Sequence, residues 1–216
     1  MTTITIEPNI LKAHLITAAK SDARFYLCGV LVDTTNRRLV STDGHCMLVT
    51  RFDADAIDGD VVPDFIIGRD QIVTGLKTVA KRLPVVIKIV QDIVAVGAVV
   101  GTVIDGRFPD VARVVPTSLS GETSHYDAEL ANRVSDALIL VSNSSGKMKP
   151  NLFQNGNAAA IMTFRGDAFG VVMPMRSDAT ASDALILVDS IMGRKVTDSE
   201  SIAAPIKGLN TKEVAA

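Results

Sequence analysis

Several residue types and patterns are scarce or missing in this sequence of 216 residues. Tryptophan is absent and aromatic residues make up 4%, so the core must be aliphatic, and hydrophobic residues are plentiful at 47%. The cysteines, Cys28 and Cys46, form no CxxC or Cys/His metal pattern. Two buried, reduced thiols are therefore expected, with a disulfide as the open alternative. The length fits one large domain or two small ones.

Signatures of catalysis are also missing. The sequence has no GxxxxGK[ST] or GxGxxG phosphate loop and no GxSxG nucleophile elbow. Asp43, Gly44 and His45 offer a carboxylate and an imidazole, but no second His or Cys stands at ligand spacing, so a tight turn is predicted. His14 and His125 are predicted to be exposed to solvent. We expect no enzyme, metal or cofactor, and an enzyme built on Asp43 and His45 stays the remote alternative.

Strong charge bias and long apolar runs are absent as well. A net charge of -2 argues against a basic coat for tight DNA binding, although it leaves room for a local basic stripe. The N-terminus lacks the basic and apolar regions of a signal peptide. The most apolar stretch, residues 85–104, is interrupted by charged residues and glycines and is typical of strands. The sequence therefore predicts a soluble, cytoplasmic protein.

The hydrophobic pattern predicts an α+β fold in which a strand–helix–strands half-unit repeats about three times. In the first, a helix begins at Pro8; in the second, Asp70 caps the helix; in the third, Asp127 does so. The third half-unit starts near His125 and has no evident partner, an awkward arrangement for a closed core. The predicted strands are 2–6, 25–33, 39–42, 46–52, 64–68, 85–90, 93–97, 99–104, 151–154, 158–164 and 169–174.

The half-units suggest boundaries along the chain. Residues 1–105 form one domain of two half-units, 106–116 a linker, 117–176 a partial domain of one half-unit, and 177–216 a C-terminal extension. The heptapeptide SDALILV occurs at 135–141 and again at 182–188. The second copy predicts a short helix that ends near Gly193, followed by a loose segment.

Four stretches together resemble the bacterial DNA polymerase III beta subunit, the sliding clamp. Residues 22–31 (DARFYLCGVL) are similar to that family's DxRYYLNGxL segment, and Thr42 to His45 match its TDGHR turn, with Cys46 in place of the arginine. Residues 105–110 (DGRFPD) and 113–116 (RVVP) match its DGRFPDYRRVLP linker, and residues 171–176 (VVMPMR) match its C-terminal VVMPMR. The resemblance covers residues 1 to about 176. Residues 1–105 resemble the middle domain of a clamp subunit, and residues 117–176 resemble the second half of its last domain.

The resemblance implies a DNA-clamp-like fold, with antiparallel sheets that carry helices on one face. It also implies a processivity factor whose hydrophobic cleft accepts clamp-binding peptides of a DNA polymerase or a clamp loader. Cys46 removes a charge from that cleft, and Met47 replaces a leucine of similar volume. The implied peptide-binding residues are Leu27, Thr42, Gly44, His45, Met47, Pro109, Arg113, Val114, Val171, Met173, Pro174, Met175 and Arg176.

Clamps of this family also contact double-stranded DNA without reading its sequence, provided that a ring forms. By resemblance, a ring of this chain would be a homo-oligomer of about four chains. The alternative is a peptide-binding module without a ring, of phage or prophage origin, that competes with the host clamp. Without the resemblance, the lysines and arginines on the polar faces of the first two predicted helices would be interpreted as ordinary solvated surface. The implied DNA-binding residues are Lys20, Arg24, Phe25, Tyr26, Lys77 and Lys81.

Overall fold

The computed structural model describes residues 1–144, 149–175 and 181–192. Contacts divide the chain into two units, Met1–Met175 and Arg176–Ala216. None of the described helices is long and apolar enough to cross a membrane. The strands are β1 (Thr2–Ile6), β2 (Gly29–Asp33), β3 (Arg38–Thr42), β4 (Cys46–Arg51), β5 (Ile57–Gly59), β6 (Phe65–Gly68), β7 (Val85–Val90), β8 (Ile93–Val96), β9 (Val99–Thr102), β10 (Asn151–Phe153), β11 (Ala160–Thr163) and β12 (Ala168–Val172). The helices are α1 (Pro8–Thr17), α2 (Arg69–Thr78), α3 (Val111–Val114), α4 (Ala128–Val141) and α5 (Ala181–Met192).

The first unit contains two antiparallel sheets that bind the first two half-units together. One sheet has the order β5-β1-β7-β8-β9 and the other the order β10-β11-β12-β4-β3-β2-β6. The first strand of each half-unit pairs with the other half-unit: β1 with β7, and β6 with β2. Because one strand of each half-unit lies in the sheet of the other, the two half-units share one aliphatic core. Ile4, Leu11, Ile72 and Ile87 are fully buried in it.

The third half-unit does have a partner, so the expectation that it stands alone is wrong. Its last strand, β12, pairs with β4 from Ala168 opposite Thr50 to Val172 opposite Cys46. Helix α4 packs along α1, and Val134 belongs to a buried cluster shared with α1 and β4. The seven-stranded sheet therefore runs without a break from the first half-unit into the third.

Local signals place most helices and strands correctly, with three differences. Asp127 caps α4 as predicted, because its carboxylate accepts from the amide of Glu129 at 2.7 Å. Gly68 rather than Asp70 precedes α2, and Asp70 lies in its first turn, where the helix dipole favours an acid. Residues Phe25–Cys28 form a 3₁₀ turn instead of the start of a strand. The short elements β5 and α3 carry too few residues to show a period and were not predicted.

His14 corrects a further expectation, because it is fully buried on the side of α1 that faces the sheet. Its Nδ1 lies 2.7 Å from Ser41 Oγ and its Nε2 lies 2.9 Å from Thr50 Oγ1, so both ring nitrogens are hydrogen-bonded. Burial lowers the pKa of His14 from 6.5 to about 3, so the ring is neutral at pH 7. His125 is exposed, as predicted.

Candidate functional site

A cleft of about 220 Å³ opens where β4 meets β12, and four separate chain segments contribute to it. The segments are the 3₁₀ turn before β2, the turn between β3 and β4, the linker around α3, and the end of β12. These are the segments that carry the motifs at 22–31, 42–45, 105–116 and 171–176. The cleft is lined by Arg24, Leu27, Thr42, Gly44, His45, Cys46, Met47, Pro109, Val114, Val171 and Met173.

Nine of the thirteen residues expected in this cleft line it, three do not, and one lies outside the described residues. Arg113 is 87% exposed and pairs with Asp110 at 3.3 Å. Met175 is 53% exposed and forms an isolated bridge with His125. Pro174, between Met173 and Met175, is half-buried and is not part of the lining. Arg176 lies outside the described residues.

The turn between β3 and β4 has the predicted tight geometry. Gly44 has φ of +94°, a conformation that favours glycine. Thr42 Oγ1 donates to Cys46 O at 2.6 Å and accepts from the amide of Gly44 at 3.0 Å. The carboxylate of Asp43 accepts from the amides of His45 and Cys46, both at 2.9 Å. Asp43 and His45 are thus held as parts of a turn, as the sequence predicted.

Asp43 also ties this turn to α4. Arg133 Nη1 donates to Asp43 Oδ2 at 2.7 Å, and the same guanidinium donates to Ile16 O, at the end of α1, at 2.8 Å. Burial acts to raise the pKa of Asp43, but the amides of Cys46 and His45 together with Arg133 hold it below 3.8. The carboxylate is therefore ionised at neutral pH. Sequence reasoning missed Arg133, because nothing in its neighbourhood signals a partner so far along the chain.

Arg24 lies at the rim of the cleft. Its guanidinium pairs with Asp22 at 2.9 Å, and the hydrogen bond from Arg24 lowers the pKa of Asp22 to about 2. A Cβ added to Gly44 would lie 3.0 Å from Arg24 Nη2, so the guanidinium covers the turn. The neighbouring rings of Phe25 and Tyr26 meet edge to face with centroids 5.9 Å apart, and Phe25 is 56% exposed.

The other residues predicted to meet DNA lie on separate segments. Lys20 follows α1, Lys77 is in the last turn of α2, and Lys81 comes just after it. All three side chains are exposed. The structure thus brings Arg24, Phe25 and Tyr26 together and leaves the three lysines as solvated charges, so contact with DNA stays a prediction for all six residues.

The floor of the cleft is apolar. Leu27, Met47 and Val171 are buried, while Met173 is 39% exposed at the mouth. Burial raises the pKa of the Cys46 thiol to about 12, so Cys46 is a neutral wall residue. Pockets for small molecules usually measure ~300–1,000 Å³. A smaller apolar cleft with a charged rim fits one or two side chains of a peptide better than a whole metabolite.

A larger groove of about 880 Å³ runs beside the linker, and several of its charged residues already serve the fold. Asp33 pairs with Arg38 at 2.6 Å, and Asp64 accepts from the amide of Thr34 at 2.9 Å. Asp110 caps α3. Among the described residues, no group of three or more His, Cys, Asp or Glu side chains could hold a metal ion.

Comparisons with known proteins identify relatives. No protein-family model matches the sequence. The beta sliding clamp of Vibrio cholerae serotype O1 is 32% identical over 145 residues, which are 64% of this chain. The matched region is 39% of that relative, so the chain spans about two fifths of its length.

Solved structures agree on the fold. The DNA polymerase III subunit beta of Pseudomonas aeruginosa matches with a TM-score of 0.60 and 20% identity, over 82% of this chain and 67% of that one. The Helicobacter pylori beta clamp bound to a DNA ligase peptide matches with a TM-score of 0.61 and 12% identity, over 82% and 66%. The described residues therefore carry the sliding-clamp fold, and the chain is similar to part of one bacterial beta sliding clamp subunit.

Proposed function

We propose that the cleft between β4 and β12 binds a short peptide through apolar anchor side chains. One observation carries this proposal: segments up to about 150 residues apart in the chain converge on one apolar cavity, and most of the side chains named from the clamp motifs line it. The half-exposed Met173 at the mouth suits this use, because thioether side chains adapt to differently shaped anchors.

The size of the cleft sets the expected affinity. Burial of one Leu or Phe side chain contributes roughly 1.5–3 kcal/mol, and two anchors about 3–6 kcal/mol, before a flexible peptide loses entropy on ordering. Anchor burial of this size alone corresponds to a dissociation constant of roughly 10 mM to 50 μM, so a micromolar affinity needs a further ~2–5 kcal/mol from backbone hydrogen bonds to the peptide. Such an affinity suits partners that exchange.

The relatives suggest what the peptides belong to. The Helicobacter pylori clamp is bound to a DNA ligase peptide, and a Pseudomonas aeruginosa sliding clamp is bound to griselimycin. By extension, this chain serves as a clamp-like processivity factor in DNA replication, with polymerase and clamp-loader peptides as its partners. Its role is recruitment and not catalysis, in the cytoplasm where DNA is replicated.

A direct binding measurement tests the proposal. A fluorescein-labelled peptide from the clamp-binding segment of a DNA polymerase should bind, as seen by fluorescence anisotropy. Met173→Ala should weaken binding about tenfold, because it removes ~1–2 kcal/mol of anchor contact. Met175→Ala is the matched control, since that side chain is more exposed and lies outside the lining. Absence of wild-type binding, or equal losses in both variants, contradicts the proposal.

A second candidate is a peptide-binding module that never encircles DNA and competes with a host clamp. The observation that favours it is the net charge of -2, which provides no strong overall attraction to DNA. A loading assay on circular DNA with a clamp loader separates the two roles. A processivity factor should stay on closed circles and leave after linearisation, and Lys20→Glu with Lys77→Glu should reduce its retention. A competitor should bind the peptide and never remain on DNA.

A further inference from the structure

The pairing of the three half-units leaves the sheet edge at β9 without a neighbouring strand in the described part of the chain. Each half-unit ends in a strand triplet, β2-β3-β4, β7-β8-β9 or β10-β11-β12. The last strands of two triplets, β4 and β12, pair with each other edge to edge. The last strand of the remaining triplet, β9, pairs only with β8 among the described residues.

Two glycines support the equivalence of β9 and β12 in their half-units. A Cβ added to Gly170 on β12 would lie 2.0 Å from Val134 Cγ1, on the helix of its own half-unit. A Cβ added to Gly101 on β9 would lie 3.0 Å from Gln71, again on the helix of its own half-unit. In both half-units a glycine on the edge strand leaves room for a side chain from the helix of its own half-unit, so the position of Gly101 is like that of Gly170.

The outward amides of β9 are arranged to pair with another strand. The amide of Val103 donates to Asp92 O, just before β8. Successive residues of a strand point their amides in opposite directions, so the amides of Val100 and Thr102 point to the open edge. On β12, the neighbouring Met173 amide donates to His45 O, which places Phe169 and Val171 as the outward pair. Val100 and Thr102 correspond to these two residues.

β9 also lacks the protection that the other sheet edges carry. Edge strands are usually short, charged, interrupted by proline, or covered. β5 has three residues and includes Asp58, and β10 has three residues and follows Pro150. On β6, Ile66 O accepts from the amide of Ile104. β9 has four uncharged residues, of which Val100 is 69% exposed.

We propose that β9 is a self-association surface, on which the β9 strand of a second copy of this chain pairs antiparallel about a two-fold axis at Gly101. The pairing repeats the β12–β4 contact, in which Gly170 lies opposite Leu48. Val100 then lies opposite the partner's Thr102, and Val99 opposite the partner's Val103. An interface of this kind uses the same patch on both subunits.

Charges on α2 favour the same partner. At the β12–β4 contact the helices run antiparallel, because Asn9 near the start of α1 donates to Asn143 just beyond the end of α4, at 2.8 Å. Asp70 is the second residue of α2, as Asn9 is of α1, and Lys81 lies just beyond the end of α2. The two-fold pairing therefore brings Asp70 of each copy towards Lys81 of the other, an opposite-charge contact.

The surface is independent of peptide docking, which uses the β4–β12 junction. Sedimentation velocity of the full chain over a range of concentrations should show a reversible dimer. Val100→Lys should raise the dimer dissociation constant roughly tenfold or more, because a lysine on an edge opposes strand addition. Val90→Lys is the matched control, since Val90 is 47% exposed on the same sheet but away from the edge.

The register has its own test. An equimolar mixture of Val100→Cys and Thr102→Cys chains should form a disulfide dimer on mild oxidation, while either chain alone, like wild type, should not. A chain that stays monomeric, a dimer that Val100→Lys leaves intact, or cross-linking of single-variant chains overturns the proposal. In each case the peptide affinity of the same samples shows whether the cleft still functions, so the two proposals fail separately.

Discussion

Arg133 on α4 donates a hydrogen bond of 2.7 Å to Asp43, a residue 90 positions earlier in the chain. The side chains are 28% and 14% exposed, so the pair is shielded from solvent more than most surface ion pairs. Since Asp43 holds the turn that carries Gly44 and His45, this contact links the third half-unit to the wall of the cleft. The packing of α4 and the shape of the cleft are therefore coupled.

Arg133→Ala should lower both the stability of the fold and the affinity for peptides. The change leaves Asp43 without its cation and Ile16 O without a donor, at a cost of about 2–3 kcal/mol in the free energy of unfolding. Peptide affinity should fall too, because the turn loses its anchor. Urea denaturation and fluorescence anisotropy measure the two effects. Asp60→Asn, at an exposed pair with the N-terminus, is the control and should change neither.

Stability should depend on pH through His14. The pKa of the buried ring is lowered to about 3 from 6.5, so below pH 6.5 the unfolded chain binds a proton that the folded chain does not. The free energy of unfolding is therefore retained above pH 6.5 and falls by up to ~1.4 kcal/mol for each unit between pH 6.5 and 3. Urea titrations between pH 7 and 4 measure this slope.

A pair of histidine variants isolates this contribution. His14→Gln should have a lower free energy of unfolding at pH 7 and a flatter dependence on pH down to 4.5. His125→Gln, at an exposed position, should keep the wild-type slope. Below about pH 4 the carboxylates of Asp33 and Asp43, whose pKa values are lowered, add a further loss in all of the chains. An unchanged slope in His14→Gln would show that another group carries the effect.

Local sequence signals predicted the elements that depend on local physics. β7 alternates buried and exposed residues over Val85–Val90, and α4 begins at an Asp cap, so both were predicted with correct starts. Residues Phe25–Cys28 have strand-forming side chains, yet they form a 3₁₀ turn whose Leu27 is buried under the cleft. Tertiary packing outweighed propensity there.

The candidate site was predicted only where a motif identified it. The cleft residues came from family resemblance, and the structure brings most of them together. Arg133 and His14 could not be recognised from the sequence, because their partners Asp43, Ser41 and Thr50 come from distant segments. The sequence around a helical arginine or histidine does not show whether its side chain is buried when its hydrogen-bond partners lie far away in the chain.

Cys46 should resist thiol reagents in the folded chain. Burial raises the pKa of its thiol to about 12, so almost no thiolate exists at pH 7, and the side chain is 2% exposed. Cys28 is only half-buried and should react first. Labelling with a maleimide followed by peptide mass spectrometry should find Cys28 modified under native conditions and both residues modified in urea. Rapid native labelling of Cys46 would show that the cleft wall opens.

Gly170→Ala should destabilise the junction between the first and third half-units. The added methyl group would lie 2.0 Å from Val134 Cγ1, so α4 must move away from β12. Overpacking of this kind costs ~1–3 kcal/mol in the free energy of unfolding, and peptide affinity should fall with it because β12 forms one wall of the cleft. Denaturation and anisotropy again give the two values.

The double variant Gly170→Ala with Val134→Ala decides whether that clash is the cause. Val134→Ala alone creates a cavity in a fully buried position and should also destabilise the fold. Together the two changes should cost less than the sum of the single costs, because the alanine at 170 fills space that Val134 vacates. The coupling energy should reach ~1 kcal/mol or more, as expected for residues in contact. Simple additivity would show that α4 and β12 do not meet through this pair.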